Sequence, residues 1–112
     1  MLTLARGVGN LIYDGSGIGS GPAYQVPLTH GAYGDLTGNL AWEVDASGTF
    51  TSLTVNLLGS LNNADWHQIA TTSSLTGGLF NIVAFPIAYL MVQVTAYAGG
   101  TNLTVVVTLG NT

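Results

Sequence analysis

The middle of the chain alternates apolar and polar side chains with a period of two residues. This pattern is clearest between Phe50 and Gly59, and it is bounded by predicted turns at residues 45–48 and 62–65. A period of two predicts a β-strand with one buried face and one exposed face. The apolar face carries Leu53, Val55 and Leu57, and the polar face carries Ser52, Thr54 and Asn56.

Two more alternating segments, Tyr89–Tyr97 and Leu103–Leu109, stand on either side of Gly99 and Gly100. Adjacent glycines adopt the positive φ angles of two-residue turns, so these segments are predicted to form a β-hairpin. Shorter strands are predicted at 24–28, 40–44, 66–70 and 79–85. Because no segment has a helical period, the predicted fold is all-β, an antiparallel β-sandwich or a jelly-roll-like barrel with an extended Gly-rich N-terminal arm.

The N-terminal third differs in composition from the rest of the chain. Residues 1–39 contain nine of the sixteen glycines and are predicted to form a Gly-rich arm and loop, followed by a β-sandwich domain over residues 40–112. Such a segment loses much conformational entropy on ordering. We therefore expect its apolar side chains to hold it against its own domain or a neighbouring subunit. These candidate interface residues are Leu2, Leu4, Leu11, Ile12 and Tyr13.

Composition narrows the classes of partner. The chain has 112 residues, enough for one domain, and only 5% of them are charged, against about 25% in a typical protein. Arg6 is the only Lys or Arg, so binding to nucleic acid or to an anionic membrane surface is not expected. The most apolar window, residues 79–94, is shorter than the roughly 20 residues of a membrane-spanning helix. The first residues lack the pattern of a secretory signal.

No motif for catalysis or for a cofactor is present. His30 and His67 lie outside any nucleophile motif, so we expect no enzymatic activity. The oxygen-rich turn at residues 62–65 has one carboxylate, fewer than calcium usually requires, and there is no cysteine. We therefore expect neither a cofactor nor a metal ion.

Aromatic side chains leave two binding alternatives open. Trp42, Trp66, Tyr33 and Asn63 could form a platform for a glycan, although both tryptophans also suit the core of a sheet. The face of the predicted hairpin that carries Tyr89, Met91, Tyr97 and Val106 is unusually apolar. It is predicted to be covered by the second sheet, by the arm or by another subunit. Because the chain has no lysine to protect its strand edges, a homo-oligomer is expected.

The run GTFTSLTVNLLGSLNNADWHQI, residues 48–69, resembles a motif of small structural proteins of tailed bacteriophages. In that motif G-T-F is followed by T-V-x-L-x-G-S, an Asp/Asn turn and Trp. Residues 86–90 and 97–101 are similar to the final hairpin of the same family. The resemblance covers about 70 residues, Leu40 to Leu109. Ala64 replaces a common Gly, and Ala88 and Met91 replace common arginines, so binding through those arginines does not carry over.

This resemblance implies a β-sandwich component of the virion and not an enzyme. The expected role is capsid decoration, in which a cement protein on the outer head surface contacts the major capsid protein or other virion proteins. A location in the tail is also compatible with the family. Two alternatives are a tail or fibre adhesion module that binds host glycans and a self-assembling β fibre or sheath subunit.

Overall fold

The computed structural model describes residues 2–5, 7–26, 38–84 and 87–109. These residues form eight β-strands and no helix, which confirms the predicted all-β class. The strands are β1 (Leu2–Thr3), β2 (Gly9–Gly15), β3 (Gly19–Ser20), β4 (Tyr24–Gln25), β5 (Gly38–Ser60), β6 (His67–Thr72), β7 (Gly77–Ala84) and β8 (Tyr89–Leu109).

Two long antiparallel strands, β5 and β8, form the centre of the fold. They pair from Leu40 opposite Leu109 to Ser60 opposite Tyr89, with one interruption between Gly48 and Ser52. A straight strand of 23 residues would be about 75 Å long, yet the longest dimension of the molecule is 46 Å. The β5–β8 ribbon must therefore bend.

The bend lies where glycines of the two strands meet. Gly48 and Gly99 have φ angles of 91° and 93°, and the strand register shifts on both sides of Gly48. The ring of Phe50 lies directly against Gly100 and occupies the space that a Cβ atom of residue 100 would need. The Thr101 hydroxyl donates a hydrogen bond of 3.0 Å to the carbonyl of Ser47 across the bend. Glycine is needed here because the backbones approach too closely for a side chain.

This bend folds one sheet into two layers. In the first layer, residues 38–47 of β5 and 102–109 of β8 lie between β7 and β2. In the second layer, residues 52–60 and 89–98 of the same strands lie between β6 on one side and β3 and β4 on the other. A strand that passes from one layer to the other through a bend makes the corner of a sandwich.

The core lies between the two layers and follows the alternation of the sequence. Alternate residues of β5 and β8 within each layer direct apolar side chains into the core, and these buried side chains form one cluster. The strand alternation predicted for residues 53–57, 90–94 and 103–109 is therefore confirmed. The largest fully buried side chains include Trp42, Ile12, Leu40, Leu53, Leu57, Leu90 and Leu103.

Two predicted features of the β5–β8 region are wrong. Gly99 and Gly100 do not turn the chain back on itself, because Leu103–Leu109 pairs with Leu40–Ala46 of β5 and not with the preceding residues. The predicted turn at residues 45–48 is instead part of β5. In both places the glycines bend a continuous strand. The sheet is also mixed, since β1 and β4 pair in parallel.

The described part of the N-terminal segment joins the same sheet. β2, β3 and β4 pair with β8, and Leu4, Ile12 and Val26 are buried in the common core. Contact with its own domain is thus the alternative observed for these residues. The division of the chain after residue 39 stays a prediction, and residues 27–37 lie outside the described residues.

Candidate interaction surfaces

The outer face of the first layer carries a row of side chains that crosses all four strands. The register places Leu11 opposite Val106, Val106 opposite Glu43, and Glu43 opposite Leu79. Leu11 and Leu79, at the two ends of the row, are 55% and 72% exposed. Val8, just before β2, is also exposed. We call this outer surface the acidic face, because it also carries the carboxylates of Asp14, Glu43 and Asp45.

Three of the five acidic residues of the chain lie on the acidic face. Asp14 and Asp45 lie on either side of Thr104 in the row next to that of Glu43. The amide of Asn102 donates a hydrogen bond of 2.9 Å to a carboxylate oxygen of Asp14. Exposed leucines beside carboxylates suit a partner that offers both apolar surface and basic groups.

The outer face of the second layer has a different chemistry, and we call it the amide face. The Thr71 hydroxyl donates to the side-chain oxygen of Asn56 at 2.6 Å, and the Asn56 amide donates to Gln93 at 3.4 Å. Next to this chain, Leu58 pairs with Met91. Leu58 points outward yet is only 7% exposed. The side chains named on the amide face are uncharged, and its polar ones are hydrogen-bonded to one another.

The turn after β5 uses its oxygen atoms internally. The Ser60 hydroxyl accepts hydrogen bonds from the backbone N–H groups of Asn62 and Asn63. The side-chain oxygen of Asn62 accepts from the N–H groups of Ala64 and Asp65, and its amide donates to the Asp65 carboxylate at 2.8 Å. Asn63 holds a left-handed φ of 58°. This is the geometry of an Asx turn, in which the polar side chains stabilise the backbone.

The residues predicted as an interface lie in three environments. Leu2 and Leu11 are exposed, whereas Leu4 and Ile12 are buried. Tyr13, Tyr89, Met91 and Tyr97 are half-buried. The structure thus divides the predicted set between the core, the acidic face, the amide face and, for Leu2, the edge strand β1. It does not bring the set together as one surface.

Tyr97 does not share a face with Met91. Thr95 is an extra residue in β8, because Val94 pairs with Val55 and Ala96 with Thr54. The alternation therefore reverses, and the ring of Tyr97 packs edge-on against Phe50 at 5.0 Å inside the fold. Its hydroxyl is buried with no hydrogen-bond partner among the described residues.

Tyr13 packs against the same core from β2. Burial, and secondly the electrostatic influence of Tyr97, raise the pKa of the Tyr13 hydroxyl. A shallow groove runs along this strand. It is lined by Leu11, Ile12, Tyr13, Asp14, Pro22 and Tyr24.

The residues predicted as a glycan platform are separated by the fold. Trp42 is 1% exposed and lies against Phe80 at a centroid distance of 5.3 Å, so its ring offers no free face to a sugar. Trp66 is half-buried just before β6, and Asn63 is exposed in the Asx turn. Tyr33 lies outside the described residues.

Leu2 and Leu11 are identified from the sequence, but other strongly exposed apolar side chains are missed. The predicted strand at residues 79–85 does not indicate which side of the sheet Leu79 lies on. Its position opposite Glu43 puts Leu79 on the acidic face. Leu79 and Asn81 are two residues apart in a strand, which indicates that they share a face. The sequence does not show which strand pairs with β7, so that face could not be assigned. Other exposed apolar residues that were missed are Ile18, Leu61 and Leu75.

Neither a cluster of metal-binding side chains nor a membrane-spanning helix is found in the part of the chain that the structure describes. No three His, Asp or Glu side chains there lie close enough together to hold a metal ion. The same residues include no helix with the length and hydropathy needed to cross a bilayer.

No protein-family model and no curated protein sequence matches the chain. Its fold is similar to the crystal structure of YomS, a protein derived from the SPBc2 prophage, with a TM-score of 0.59. The similarity covers 89% of this chain and 90% of that chain, at 11% sequence identity. At this identity the comparison shows a shared fold: the folded sheet described above is an architecture that also occurs in a prophage-derived protein.

Proposed function

We propose that this chain is a non-enzymatic structural protein of a phage particle that decorates and cements the outer surface of the head. The observation that carries the proposal is the fold similarity to a prophage-derived protein, which spans nine-tenths of both chains. The resemblance of residues 48–69 to structural proteins of tailed phages supports the same assignment.

The acidic face is the surface that we assign to the shell. Burying Leu11 and Leu79 against an apolar patch removes exposed hydrocarbon from water. Asp14, Glu43 and Asp45 would then lie beside basic groups of the partner, because opposite charges across an interface favour the correct encounter. The partner is accordingly the major capsid protein or another virion protein that presents apolar side chains flanked by Lys or Arg.

The mechanism of cementing is mass action. A protein that binds the assembled shell, and not its dissociated subunits, stabilises the shell by an amount that grows with the concentration of free cement protein. No chemical step is required. Side chains held on a folded sheet keep the contact surface rigid, so little conformational entropy is lost on binding.

The charge of the chain favours the outer surface of the head over its lumen. The formal net charge is −4, with Arg6 as the only Lys or Arg. A wall that faces packaged DNA gains nothing from carboxylates, because the phosphates repel them.

Co-sedimentation with empty, expanded heads of the phage that encodes the chain tests the proposal. We expect saturable binding that Leu11→Ser weakens. Leu61→Ser is the matched control, because Leu61 is also exposed but lies in the turn after β5. Failure of the unmodified protein to bind, or equal weakening by both substitutions, would show that the acidic face does not dock on the shell. Electron cryomicroscopy of intact particles then locates the protein on head or tail.

A further inference from the structure

The outer edge of β7 is a regular strand edge that no other strand of the described residues covers. On its inner side, β7 pairs with β5 at eight successive positions, from Asp45 opposite Gly77 to Gly38 opposite Ala84, without a register shift. Among the described residues, no strand pairs with its other side. In an antiparallel sheet, alternate residues direct both N–H and C=O to the same side. About half of the residues of β7 therefore direct a donor and an acceptor away from β5. Ser74 bonds to those of Gly77, and no described strand pairs with the others.

β7 lacks the features that usually protect such an edge. Its sequence, GGLFNIVA, contains no charged residue and no proline. Natural edges are commonly blocked by lysine, proline, a bulge or short length. The other outer strands of this fold carry one of these features. β2 has a register shift after Leu11 and a carboxylate at Asp14, the β5–β6 pairing shifts after Leu57, and β1 has two residues.

We propose that β7 is a pairing edge at which a second copy of this chain adds its own β7, antiparallel, about a twofold axis. The first layers of the two copies would then form one continuous sheet of eight strands. The inference is independent of the virion assignment, because it uses only the strand pairing, exposure and charge of this chain.

A second copy fits the edge because the contact is neutral and self-complementary. β7 brings no charge to the axis. The nearest carboxylate on the acidic face, Glu43, lies one strand inward, so the two Glu43 side chains would be about 14 Å apart, three strand spacings. That distance exceeds the Debye length at physiological salt, about 8 Å. Stacking two acidic faces would instead bring their carboxylates to about 10 Å, the spacing of packed sheets.

The pleat of the sheet limits the register. Residues directly opposite each other in an antiparallel pair must point to the same face. The twofold axis must therefore lie between one residue of β7 and the same residue of the second copy. Near the middle of the strand this leaves two registers. Either Phe80 lies opposite its copy, with Leu79 opposite Asn81, or Asn81 lies opposite its copy.

The first test measures the mass of the purified full-length protein by sedimentation equilibrium. We expect a concentration-dependent dimer that Leu79→Lys/Asn81→Lys converts to a monomer, because lysines then oppose each other in either register. Both side chains are exposed, so the fold should survive, and circular dichroism checks this. Leu11→Lys is the matched control: it adds a lysine to the same face on the opposite outer strand and should leave the dimer intact.

A second test uses the absence of cysteine. Asn81→Cys alone should form an interchain disulfide if the axis passes through Asn81. A mixture of Leu79→Cys and Asn81→Cys chains should cross-link if it passes through Phe80. A protein that is monomeric at all soluble concentrations, a dimer that forms neither cross-link, or open-ended filaments would overturn the proposal. Loss of shell binding in Leu11→Lys with the dimer retained would separate this edge from the docking surface.

Discussion

Replacing Gly99 by alanine tests the corner on which the whole sheet depends. Gly99 has a φ of 93°, and an added Cβ atom would lie 2.6 Å from the carbonyl oxygen of Thr49. Two costs arise in the folded state. A left-handed conformation disfavours alanine by about 1–2 kcal/mol, and moving a packed neighbour out of the way adds about 1–3 kcal/mol.

Gly17 offers a control that separates these two costs. Its φ is 98°, yet nothing lies within 4 Å of an added Cβ. Gly17→Ala should therefore lower the free energy of unfolding by about 1–2 kcal/mol, and Gly99→Ala by about 2–5 kcal/mol. A domain of this size has a total stability of about 5–15 kcal/mol, so Gly99→Ala should remove a large fraction of the free energy of unfolding.

Urea unfolding, followed by tryptophan fluorescence, measures both variants against the unmodified protein. The slope with urea should be unchanged, so that a shift in midpoint reports stability alone. In thermal unfolding, each kcal/mol of difference should lower the Tm by about 4 °C. If Gly99→Ala proves no more destabilising than Gly17→Ala, the close approach of the two strands at the bend is wrong.

Three further predictions concern the strand pairing and the polar groups. The cysteine pair Asp45→Cys/Thr104→Cys should form an intramolecular disulfide, because these residues are directly opposed in β5 and β8. Thr95→Cys/Thr104→Cys, which a hairpin at Gly99–Gly100 would bring together, should stay reduced; the reverse result on intact-mass analysis would restore that hairpin. Ser60→Ala should lower the free energy of unfolding by about 1–3 kcal/mol, because two backbone N–H groups of the turn lose their acceptor, and a value near zero would contradict that role. The raised pKa of Tyr13 means that the folded state holds this proton more tightly than the unfolded chain. Its stabilisation is complete below about pH 10 and is lost as the pH rises through the folded-state pKa. Tyr13→Phe should therefore flatten the alkaline fall in unfolding free energy, and an unchanged slope would refute the assignment.

Alternation in the sequence predicts some of the buried and exposed faces of the strands but not all of them. Alternation correctly assigned Leu53, Val55 and Leu57 to the core, because burying one face of a strand requires a period of two. It failed at Tyr97, where the extra residue Thr95 reverses the faces. A bulge depends on the partner strand, so nothing in the local sequence of β8 marks it.

The acidic face could not be predicted for the same reason. Leu11, Glu43 and Leu79 are far apart in the sequence and become neighbours only through pairing with β5 and β8. The near absence of charge was visible from composition. That three of the five carboxylates share one face with the exposed leucines was not.

The sequence by itself determined the all-β class, the alternation of the long strands and the places where the chain must bend, because these depend on side-chain period and on the φ freedom of glycine. Only the tertiary structure decided that Gly48, Gly99 and Gly100 bend two continuous strands and do not end them. A glycine pair permits a hairpin and a corner equally well. The choice is made by burial: in the corner, residues 103–109 pair with residues 40–46 of β5, and one core encloses the apolar faces of both layers.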